Sequence, residues 1–535
     1  MLHNDLLLVL GLLFLMCFLY ILSRWIGVSY PIFLVLGGLL IGLVPGMPAI
    51  QIEPEIIFLI FLPPLLYEAA WFTSWYDFWR WKRPILFLGF VMVMVTSVAV
   101  AVFADSYIPG FTLALGFLLG GIVSPPDAVA ATSVLKGQSL PRRFTTILEG
   151  ESLVNDAASL IVFRFAVAAV ITGQFTLQKA VTDFFIVSFF GITIGISVAA
   201  LIYVIQKWLP TTASLDTVFT LMTPYVLYLT AEHFHVSGVL AVVSGGLFLS
   251  FRSNDLLNFE SRLQATNVWA ALIFVLNGLV FILIGLELPT IVAGLGNYSL
   301  KLAILYGLMI SGITIVTRIA TVLLVGLLPN LVPRFYKDGR KAPMGIMLLT
   351  GWAGMRGVVS LASALAIPLL LTNGKAFPQR NLIIFITFVV ILVTLVVQGL
   401  SIPYLVKLLG IKEIDETIPH ERQLAELRLR TAESELSLID ERFHEDVKTI
   451  PRLRRYVEQL LLVVDRETRV LQDDTGYEEV EKTRRRFREI YVELVNAKRR
   501  QLLLIRREKK YDEEVLREFQ NSLDLEEARI RSTFS

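Results

Sequence analysis

Residues 120–129 have the sequence GGIVSPPDAV and lie inside an apolar run over about 111–135. Two consecutive prolines remove two backbone donors and clash with the preceding helical turn, and the glycines weaken a helix further. A spanning helix is therefore predicted to break here, with Asp127 at the start of its second half. The helix dipole favours a carboxylate at that position, and the carbonyl groups released before it can accept a cation.

A second apolar run, over about 344–371, has a comparable interruption. Residues 351–358 read GWAGMRGV, so glycines break the run and Arg356 places a charge inside it. Paired broken helices, one in each half of a chain, predict a transporter built from inverted repeats. The alternative is a pair of kinked structural helices, since the repeat is inferred from position and not from internal sequence identity.

Composition divides the chain of 535 residues into two unlike parts. Residues 1–410 hold 39 charged side chains, whereas the 125 residues of 411–535 hold 55. Because a soluble domain is about a quarter charged, the first part is predicted to lie in a membrane and the second outside it. This excludes a fully soluble enzyme and a disordered chain. The net charge is +2 and neither part is polybasic, so no nucleic-acid partner is expected.

The apolar part contains thirteen runs near the length of about 20 residues that a spanning helix needs. With the N-terminus outside, the inner loops hold fifteen Lys and Arg residues and the outer loops four. The positive-inside rule then predicts an outer N-terminus and a cytosolic tail. The predicted fold is an all-α polytopic membrane protein with about 13 transmembrane helices, inverted repeats, two broken crossing helices and a helical cytosolic tail. The runs cover approximately 5–23, 30–46, 55–72, 84–104, 111–135, 145–172, 183–207, 215–231, 236–250, 267–288, 301–328, 344–371 and 380–408.

The run over 145–172 carries the densest chemistry, in the sequence EGESLVNDAAS at 149–159. On a helix, Ser152 and Asp156 lie four residues apart, as do Glu151 and Asn155, and Ser159 follows Asp156 by three. One helix surface is therefore predicted to present two carboxylates, an amide and hydroxyls, all of which carry oxygen. That ligand set suits Na⁺, Li⁺ or a proton. Burial raises the pKa of a carboxylate, which lets protons and metal cations compete for the same group.

Three segments together resemble the cation:proton antiporter-1 family, the sodium/proton antiporters and exchangers of bacteria and eukaryotes. They are residues 149–156, residues 124–131 upstream and residues 351–359 downstream. The sequence LPPLLYE at 62–68 is similar to that family's third-helix pattern. The likeness covers roughly residues 1–410, and the charged tail looks like that of bacterial members.

The resemblance implies a role for each matching residue. Asp156 would bind the transported cation and the proton by turns, with Asp127 and Ser152 as further ligands of the transported Na⁺. Asn155 places the chain in the electroneutral branch, because the electrogenic branch has a second aspartate there. Pro126 stands where many members have threonine, so that hydroxyl is missing while the carbonyl of residue 126 remains.

Four further charged residues match supporting positions of the family. Glu151 and Arg318 match an internal ion pair, and Arg356 matches the arginine of the second broken helix, expected close to the aspartate of the first. Glu68 matches a carboxylate near the access route. Arg164, also inside a span, matches no family position.

The predicted function is secondary active transport by alternating access. A monovalent cation, Na⁺ with Li⁺ as a surrogate and K⁺ open, would exchange one for one with a proton, without cofactors, for pH and sodium homeostasis. The core would comprise about 84–172 and 301–408, and the scaffold and homodimer contact about 5–72 and 183–288. Residues 411–535 would form a cytosolic domain. The expected location is a bacterial plasma membrane, with membrane lipid and a second copy as partners.

Three other functions are weighed against this one. A sodium-coupled organic-solute symporter of similar architecture would also have broken helices, but carboxylates beside Asn155 repel an anion. A passive cation channel would show a leak without proton coupling. An intramembrane enzyme would need a base, and the histidines closest to the spans, His233 and His235, have no evident partner, so no enzymatic activity is expected.

The tail is predicted to form polar helices with an apolar stripe at Phe487, Ile490 and Leu494 and a turn at 473–476. It would be a helical bundle that packs on itself or on its dimer mate. The alternative is a regulator that senses pH, a ligand, a protein or the membrane surface through basic clusters.

Overall fold

The computed structural model describes residues 2–26, 30–44, 54–135, 141–173, 177–296, 298–331, 343–371, 374–411, 420–472, 477–507 and 513–533. The chain forms two compact units, Met1–Asp415 and Glu416–Ser535. Five of the fifteen basic residues assigned to inner loops, and the predicted turn at 473–476, lie outside the described residues.

The first unit is a bundle of apolar helices. Its elements are α1 (Leu2–Ile26), α2 (Tyr30–Gly42), α3 (Pro54–Phe72), α4 (Trp75–Arg80), α5 (Lys82–Tyr107), α6 (Leu113–Val123), α7 (Ala128–Leu135), α8 (Arg142–Thr172), α9 (Leu177–Trp208), α10 (Ala213–His233), α11 (Gly238–Leu256), α12 (Phe259–Ala293), α13 (Leu300–Leu331), α14 (Met344–Trp352), α15 (Val358–Leu365), α16 (Arg380–Val393) and α17 (Gly399–Leu408).

These helices follow the predicted apolar runs, each of which contains one helix or an interrupted pair. Among the described residues, seven helical stretches are long and apolar enough to cross a membrane, judged by length and composition, and four further apolar helices are shorter. The predicted all-helical membrane fold is therefore confirmed. The number of thirteen spans and the outer position of the N-terminus stay predictions.

The first predicted break lies where the sequence places it. Helix α6 ends at Val123 and α7 begins at Ala128, with Pro125 and Pro126 between them. A second proline pair, at 63–64, leaves α3 continuous. A proline pair alone therefore does not decide the break. The two glycines at 120–121 lower the helix propensity of the last turn of α6 as well.

The second break meets the first. Helix α14 ends at Trp352 and α15 begins at Val358, so residues 353–357 are not helical. The backbone N–H of Asp127 donates to the carbonyl of Met355 over 2.7 Å. The two interrupted segments thus cross at their breaks and are joined there by a backbone hydrogen bond.

Glycines allow the closest helix approaches in this unit. A Cβ at Gly38 on α2 would lie 2.3 Å from the carbonyl oxygen of Ile282, and one at Gly285 on α12 would lie 2.3 Å from that of Val35. Small residues at helix contacts are the usual means of close packing in membranes, where burial away from water does not drive helices together.

Two local features were not predicted. Helix α4 is a short segment between α3 and α5, and the side chain of Ser74 caps it by accepting from the N–H of Asp77. Residues Thr394–Gln398 form a π-helical turn between α16 and α17. Such turns often occur at functional sites.

The second unit is helical, as predicted, with α18 (His420–Arg442), α19 (His444–Thr449), α20 (Pro451–Gln472), α21 (Tyr477–Arg507) and α22 (Glu513–Thr533). Helix α18 packs on α20 and α21 packs on α22. Val495 and Leu523 are buried in this unit. The predicted stripe at 487–494 is not buried within the chain, because Phe487 is 49% exposed and Leu494 is 54% exposed.

Candidate ion-binding site

Arg356 fixes the crossing of the two broken helices. Its guanidinium is fully buried and donates to the carbonyls of Val123 over 2.8 Å, of Ser124 over 3.3 Å and of Gly354. These carbonyls lie at or just beyond the C-terminal ends of α6 and α14, where the helix dipole favours a cation. The N–H of Arg356 also donates to Oγ1 of Thr394 in the π-helical turn, over 3.1 Å. The arginine therefore ties together three interrupted segments.

The carbonyl of Pro126 lies on the side of the crossing that faces α8. It accepts from Oγ of Ser152 over 3.3 Å and from Nδ2 of Asn155 over 3.4 Å. The N–H of Ala128, at the start of α7, lies 3.3 Å from the same serine oxygen. The structure thus brings together the carbonyl, hydroxyl and amide groups that the sequence analysis chose.

Two carboxylates lie at this crossing, those of Asp127 and Asp156. They are close enough to interact electrostatically, and Asp156 is only 9% exposed. A Cβ at Gly357 would lie 1.6 Å from Oδ2 of Asp127, so the carboxylate rests directly against that glycine. Two like charges in a water-poor site repel each other. A shared proton or cation would therefore stabilise the pair.

Asn155 supplies an oxygen that the surrounding protein does not use. The residue is fully buried, and its Oδ1 has no hydrogen-bond partner among the described residues. Leaving a buried acceptor unpaired costs about 1–3 kcal/mol, which favours a ligand at this point. The described part of the chain contains no group of three or more His, Cys, Asp and Glu side chains that could hold a metal ion. A cation here would rest on a mixed set of oxygens.

The polar side chains of α8 do not share one surface as the spacing suggested. Glu151 faces α13, where its carboxylate accepts from both terminal nitrogens of Arg318 over 2.7 and 3.2 Å. Both side chains are fully buried, so the predicted ion pair is present. Ser159 donates to the carbonyl of Asp156 over 2.9 Å and so satisfies the backbone.

Arg318 has two further contacts that hold it in place. Its Nε donates to the carbonyl of Thr350 on α14 over 3.3 Å, and one terminal nitrogen lies 3.0 Å from Sδ of Met92 on α5. A Cβ at Gly354 would lie 2.1 Å from Cδ of the arginine. The ion pair therefore links α5, α8, α13 and the second broken helix.

Glu68 is half-buried on α3. Its carboxylate interacts electrostatically with that of Glu149 on α8. Glu149 is exposed, so Glu68 lies close to an open part of the bundle surface. Its role on the access route stays a prediction.

Arg164 has a partner that the sequence analysis did not find. It forms an ion pair with Glu232 at the end of α10, and the side chains are 40% and 30% exposed. The same carboxylate accepts from the N–H of Gly238 at the start of α11, over 3.3 Å. Glu232 lies beside His233, in the short polar segment that separates the apolar runs 215–231 and 236–250. An acidic residue at that position, with no basic residue near it in the sequence, was the feature that could have indicated a partner for Arg164.

A buried polar group that the sequence pattern did not predict lies in the π-helical turn. Gln398 is fully buried, and neither its oxygen nor its nitrogen has a hydrogen-bond partner among the described residues. It lies one turn beyond Thr394, the residue that binds the backbone of Arg356. The apolar run over 380–408 shows no periodic pattern from which a role for Thr394 or Gln398 could have been predicted.

Two crossing broken helices with acidic side chains at the crossing, inside an apolar helical bundle, define a secondary transporter. The sequence comparison identifies which kind. The family model for sodium/hydrogen exchangers, transmembrane, matches residues 11–408, and the chain belongs to that family. The resemblance to cation:proton antiporters noted from the motifs is thereby confirmed, and the family is one of transporters.

Curated relatives support the assignment over most of the chain. An uncharacterised Na⁺/H⁺ exchanger of Mycobacterium tuberculosis is 32% identical over 95% of this chain and 93% of its own. A sodium, potassium, lithium and rubidium/H⁺ antiporter of Bacillus subtilis is 33% identical over 72% of this chain and 59% of its own. A low-affinity Na⁺/H⁺ antiporter of Synechocystis, NhaS1, is 31% identical over 81% of this chain and 79% of its own.

Among solved structures, the chain is similar to the sodium proton antiporter MjNhaP1 from Methanocaldococcus jannaschii. The TM-score is 0.59 at 20% sequence identity, over 76% of this chain and the whole of that one. At this identity the likeness shows the fold alone.

Proposed function

We propose that this protein exchanges a monovalent cation for a proton across a membrane. The observation that carries the proposal is the pair of carboxylates, Asp127 and Asp156, at the crossing of two broken helices. The carbonyl of Pro126 and the unpaired Oδ1 of Asn155 provide neutral oxygens beside them. Carboxylate, carbonyl and amide oxygens together suit a hard monovalent cation.

In the proposed mechanism Asp156 binds the cation and the proton in turn. Occupation by one removes the negative charge that holds the other, so the two compete for a single group. The loaded core, about 84–172 and 301–408, moves against the scaffold, about 5–72 and 183–288, and exposes the site on the other face. Return of an empty site is disfavoured, because an uncompensated charge would lie in an apolar environment.

The exchange is proposed to be one for one and therefore electroneutral, since Asn155 supplies an uncharged group where a second carboxylate would carry another proton. Na⁺ is the proposed substrate and Li⁺ a surrogate, with K⁺ included because a Bacillus subtilis relative is named for all three. No cofactor takes part. A sodium-coupled symporter for organic anions is less favoured, because the two acidic side chains repel an anion.

The proposed setting is a bacterial plasma membrane, with the N-terminus outside, the tail in the cytosol and two copies forming a dimer. The excess of basic residues in alternate loops supports this orientation. The half-exposed stripe at 487–494 is available to the dimer mate or to a regulatory partner of the tail.

The test is transport by purified protein in liposomes with an internal pH dye and an acidic interior. Adding Na⁺, Li⁺ or K⁺ outside should make the interior more alkaline, with a rate that does not depend on a clamped voltage. Asp156→Asn should abolish the signal. Asp105→Asn, which alters an exposed carboxylate on α5, should leave it unchanged. A folded wild type that moves no protons with any of these cations would overturn the proposal.

A further inference from the structure

The start of α16 is bonded to the end of α12. Nδ2 of Asn381, the second residue of α16, donates to the carbonyl of Gly294 over 2.8 Å. Gly294 directly follows α12, and a Cβ there would lie 3.1 Å from Cγ of Asn381, so the amide rests against this glycine. The contact joins α12 of the predicted scaffold to α16 of the predicted core.

The neighbouring residue, Arg380, is bonded to the second broken helix. Its Nε donates to the carbonyl of Ile367 over 2.9 Å, and one terminal nitrogen donates to that of Leu365 over 3.1 Å. These carbonyls lie at and just beyond the C-terminal end of α15, where the helix dipole favours a cation. Two consecutive residues, Arg380 and Asn381, therefore connect the end of α15 to the end of α12.

A carboxylate of α12 acts on the same arginine. Glu287 and Arg380 are both half-buried, and their side chains interact electrostatically. Opposite charges attract each other more strongly in a partly buried place than in water. We call Glu287, Gly294, Arg380 and Asn381 the α12–α16 latch. It combines a hydrogen bond and a charge interaction between the two parts that the proposed exchange moves.

The residue before the latch arginine has an uncommon backbone conformation. Gln379 has a φ of 58°, in the left-handed region that residues other than glycine rarely adopt. Its Nε2 lies 2.7 Å from the position of a Cβ on Gly110, so the turn rests against the loop after α5. Such residues persist where the surrounding structure holds them, and they concentrate at functional sites. The start of α16 is therefore fixed with Arg380 directed to α15 and Asn381 directed to α12.

Helix α15 connects the latch to the candidate ion-binding site. It has eight residues and so spans about 12 Å. The carbonyls at its C-terminal end bind Arg380, and Gly357 at its start lies against the carboxylate of Asp127. A displacement of one end of so short a helix also moves the other end. The latch is thus linked to Asp127 through a single helix.

We propose that Arg380 and Asn381 are positioning residues of the exchange, an inference that rests on the proposed function. The α12–α16 latch is closed in this structure and holds the end of α15 against the scaffold. Movement of the core against the scaffold opens it, because a donor and an acceptor about 3.6 Å apart no longer form a hydrogen bond. The latch therefore controls how often the site opens at this end, which the loop charges predict to be the outer one.

A purely structural contact would behave differently from a latch. Loss of a structural contact lowers the stability or the maximal rate and does not improve binding of the cation. A weaker latch instead raises the fraction of molecules that are open at this end, and the apparent affinity for the cation on that face rises with this fraction.

The first test is the KM for Na⁺ on each face, measured in right-side-out and inside-out vesicles of a host without exchangers of its own. Asn381→Ala removes the hydrogen bond to Gly294, which shifts the equilibrium about two- to tenfold toward the open state. The KM should fall by up to that factor on one face only, which is predicted to be the outer face. Glu287→Gln weakens the attraction to Arg380 and should act in the same direction.

The matched control for this test is Thr230→Ala. It removes a hydrogen bond of 2.6 Å to the carbonyl of Val226 within α10 and should change the KM on neither face. A KM that the Asn381→Ala and Glu287→Gln variants lower on neither face, or on both, would overturn the latch.

The second test locks the latch. Cysteines at positions 294 and 381 are within reach of a disulfide, because a Cβ at Gly294 would lie 3.1 Å from Cγ of Asn381. In a Cys17→Ser background, which removes the exposed native thiol, Gly294→Cys with Asn381→Cys should cross-link on mild oxidation. The oxidised protein should lose exchange at least tenfold and regain it on reduction, whereas oxidation should not affect the background protein.

The outcomes separate the latch from the exchange itself. The yield of the cross-link is measured from the loss of free thiols and needs no transport. Full exchange by the oxidised, cross-linked protein would overturn the latch alone. A folded wild type that exchanges nothing would overturn the proposed function, and the latch with it, whatever the yield of the cross-link.

Discussion

Removing one partner of the buried ion pair between Glu151 and Arg318 should destabilise the protein far more than removing both. The two side chains are fully buried and joined by two hydrogen bonds of 2.7 and 3.2 Å. Arg318→Met leaves a buried carboxylate without its cation, and Glu151→Leu leaves a buried guanidinium without its anion. Each single change is expected to lower the free energy of unfolding by about 3–5 kcal/mol.

The double variant should be much closer to the wild type. Replacing a buried ion pair with apolar side chains of similar size is often neutral, because neither charge then needs solvation. The remaining loss is the hydrogen bond that Nε of Arg318 donates to the carbonyl of Thr350, which leaves that acceptor unpaired at a cost of about 1–3 kcal/mol. The two single losses sum to about 6–10 kcal/mol, whereas the double variant should lose only about 1–3 kcal/mol. The difference is the coupling free energy between the two side chains, and it should be at least about 3 kcal/mol.

The assay is equilibrium unfolding of the four proteins in one detergent, with proteoliposome exchange of each. Arg430→Met is the control, because Arg430 pairs with Glu426 on an exposed helix face and such pairs contribute about 0.3–0.5 kcal/mol. Losses that simply add, or a double variant less stable than either single one, would refute the argument that each charge is tolerated only because of the other. Exchange retained by the double variant would identify the pair as structural support.

Three further changes test separate parts of the structure. Gly357→Ala should reduce exchange at least tenfold in the liposome assay, because its Cβ would lie 1.6 Å from Oδ2 of Asp127 and displace that carboxylate. Arg164→Glu should alter the maximal exchange rate by removing a contact between α8 and α10, and adding Glu232→Arg should restore it by re-forming the pair in reverse. Leu523→Ala should lower the local stability of α21 and α22 by about 2–5 kcal/mol, measured by hydrogen exchange of their amides.

Each of these changes has a matched control. Gly312→Ala on α13 should be neutral, because a Cβ there meets no atom within 4 Å. Arg252→Glu breaks an ion pair inside one helix and should not be rescued by Glu232→Arg. Leu525→Ala removes a leucine that is 60% exposed and should leave amide exchange nearly unchanged. A neutral Gly357→Ala, or a reversed pair that rescues nothing, would contradict the corresponding contact.

The sequence predicted those parts of the fold that depend on local chemistry. The break at 124–127 follows from missing donors and low helix propensity, and the break at 353–357 follows from its glycines. The grouping of Ser152 and Asn155 around the carbonyl of Pro126 follows from their helical spacing on α8 and from the break between α6 and α7, which lies opposite them. In these cases residues near each other in the chain decide the outcome, so spacing was sufficient.

The sequence did not predict features that depend on how helices face each other. The partner of Arg164 lies 68 residues away on another helix, and only the packing of α8 on the α10–α11 connection brings it close. Helical spacing placed Glu151 with Asp156, but α13 turns Glu151 away through Arg318. The proline pair at 63–64 is as strong a local signal as the pair at 125–126, yet α3 stays continuous.

The charges of Arg356 and of the ion pair between Glu151 and Arg318 are offset by groups close to them. Arg356 lies on the C-terminal carbonyls of α6 and α14, and each helix end carries about half a negative charge, so these contributions offset each other. Glu151 and Arg318 cancel as a pair. The crossing also holds the carboxylates of Asp127 and Asp156, which interact electrostatically. Asp127 directly precedes α7 and lies against Gly357, at the start of α15.

Those two N-terminal ends contribute about half a positive charge each, so the site retains a net charge of about −1. One Na⁺ or one proton neutralises it, and a divalent cation would leave an excess charge in an apolar environment. This balance gives a physical reason for the proposed one-for-one exchange that does not depend on any relative. It also predicts that Asn155→Asp, which makes the net charge more negative, about −2, will make the exchange sensitive to a clamped voltage. An Asn155→Asp variant that transports at an unchanged, voltage-independent rate would show that the charge of the site does not set its stoichiometry.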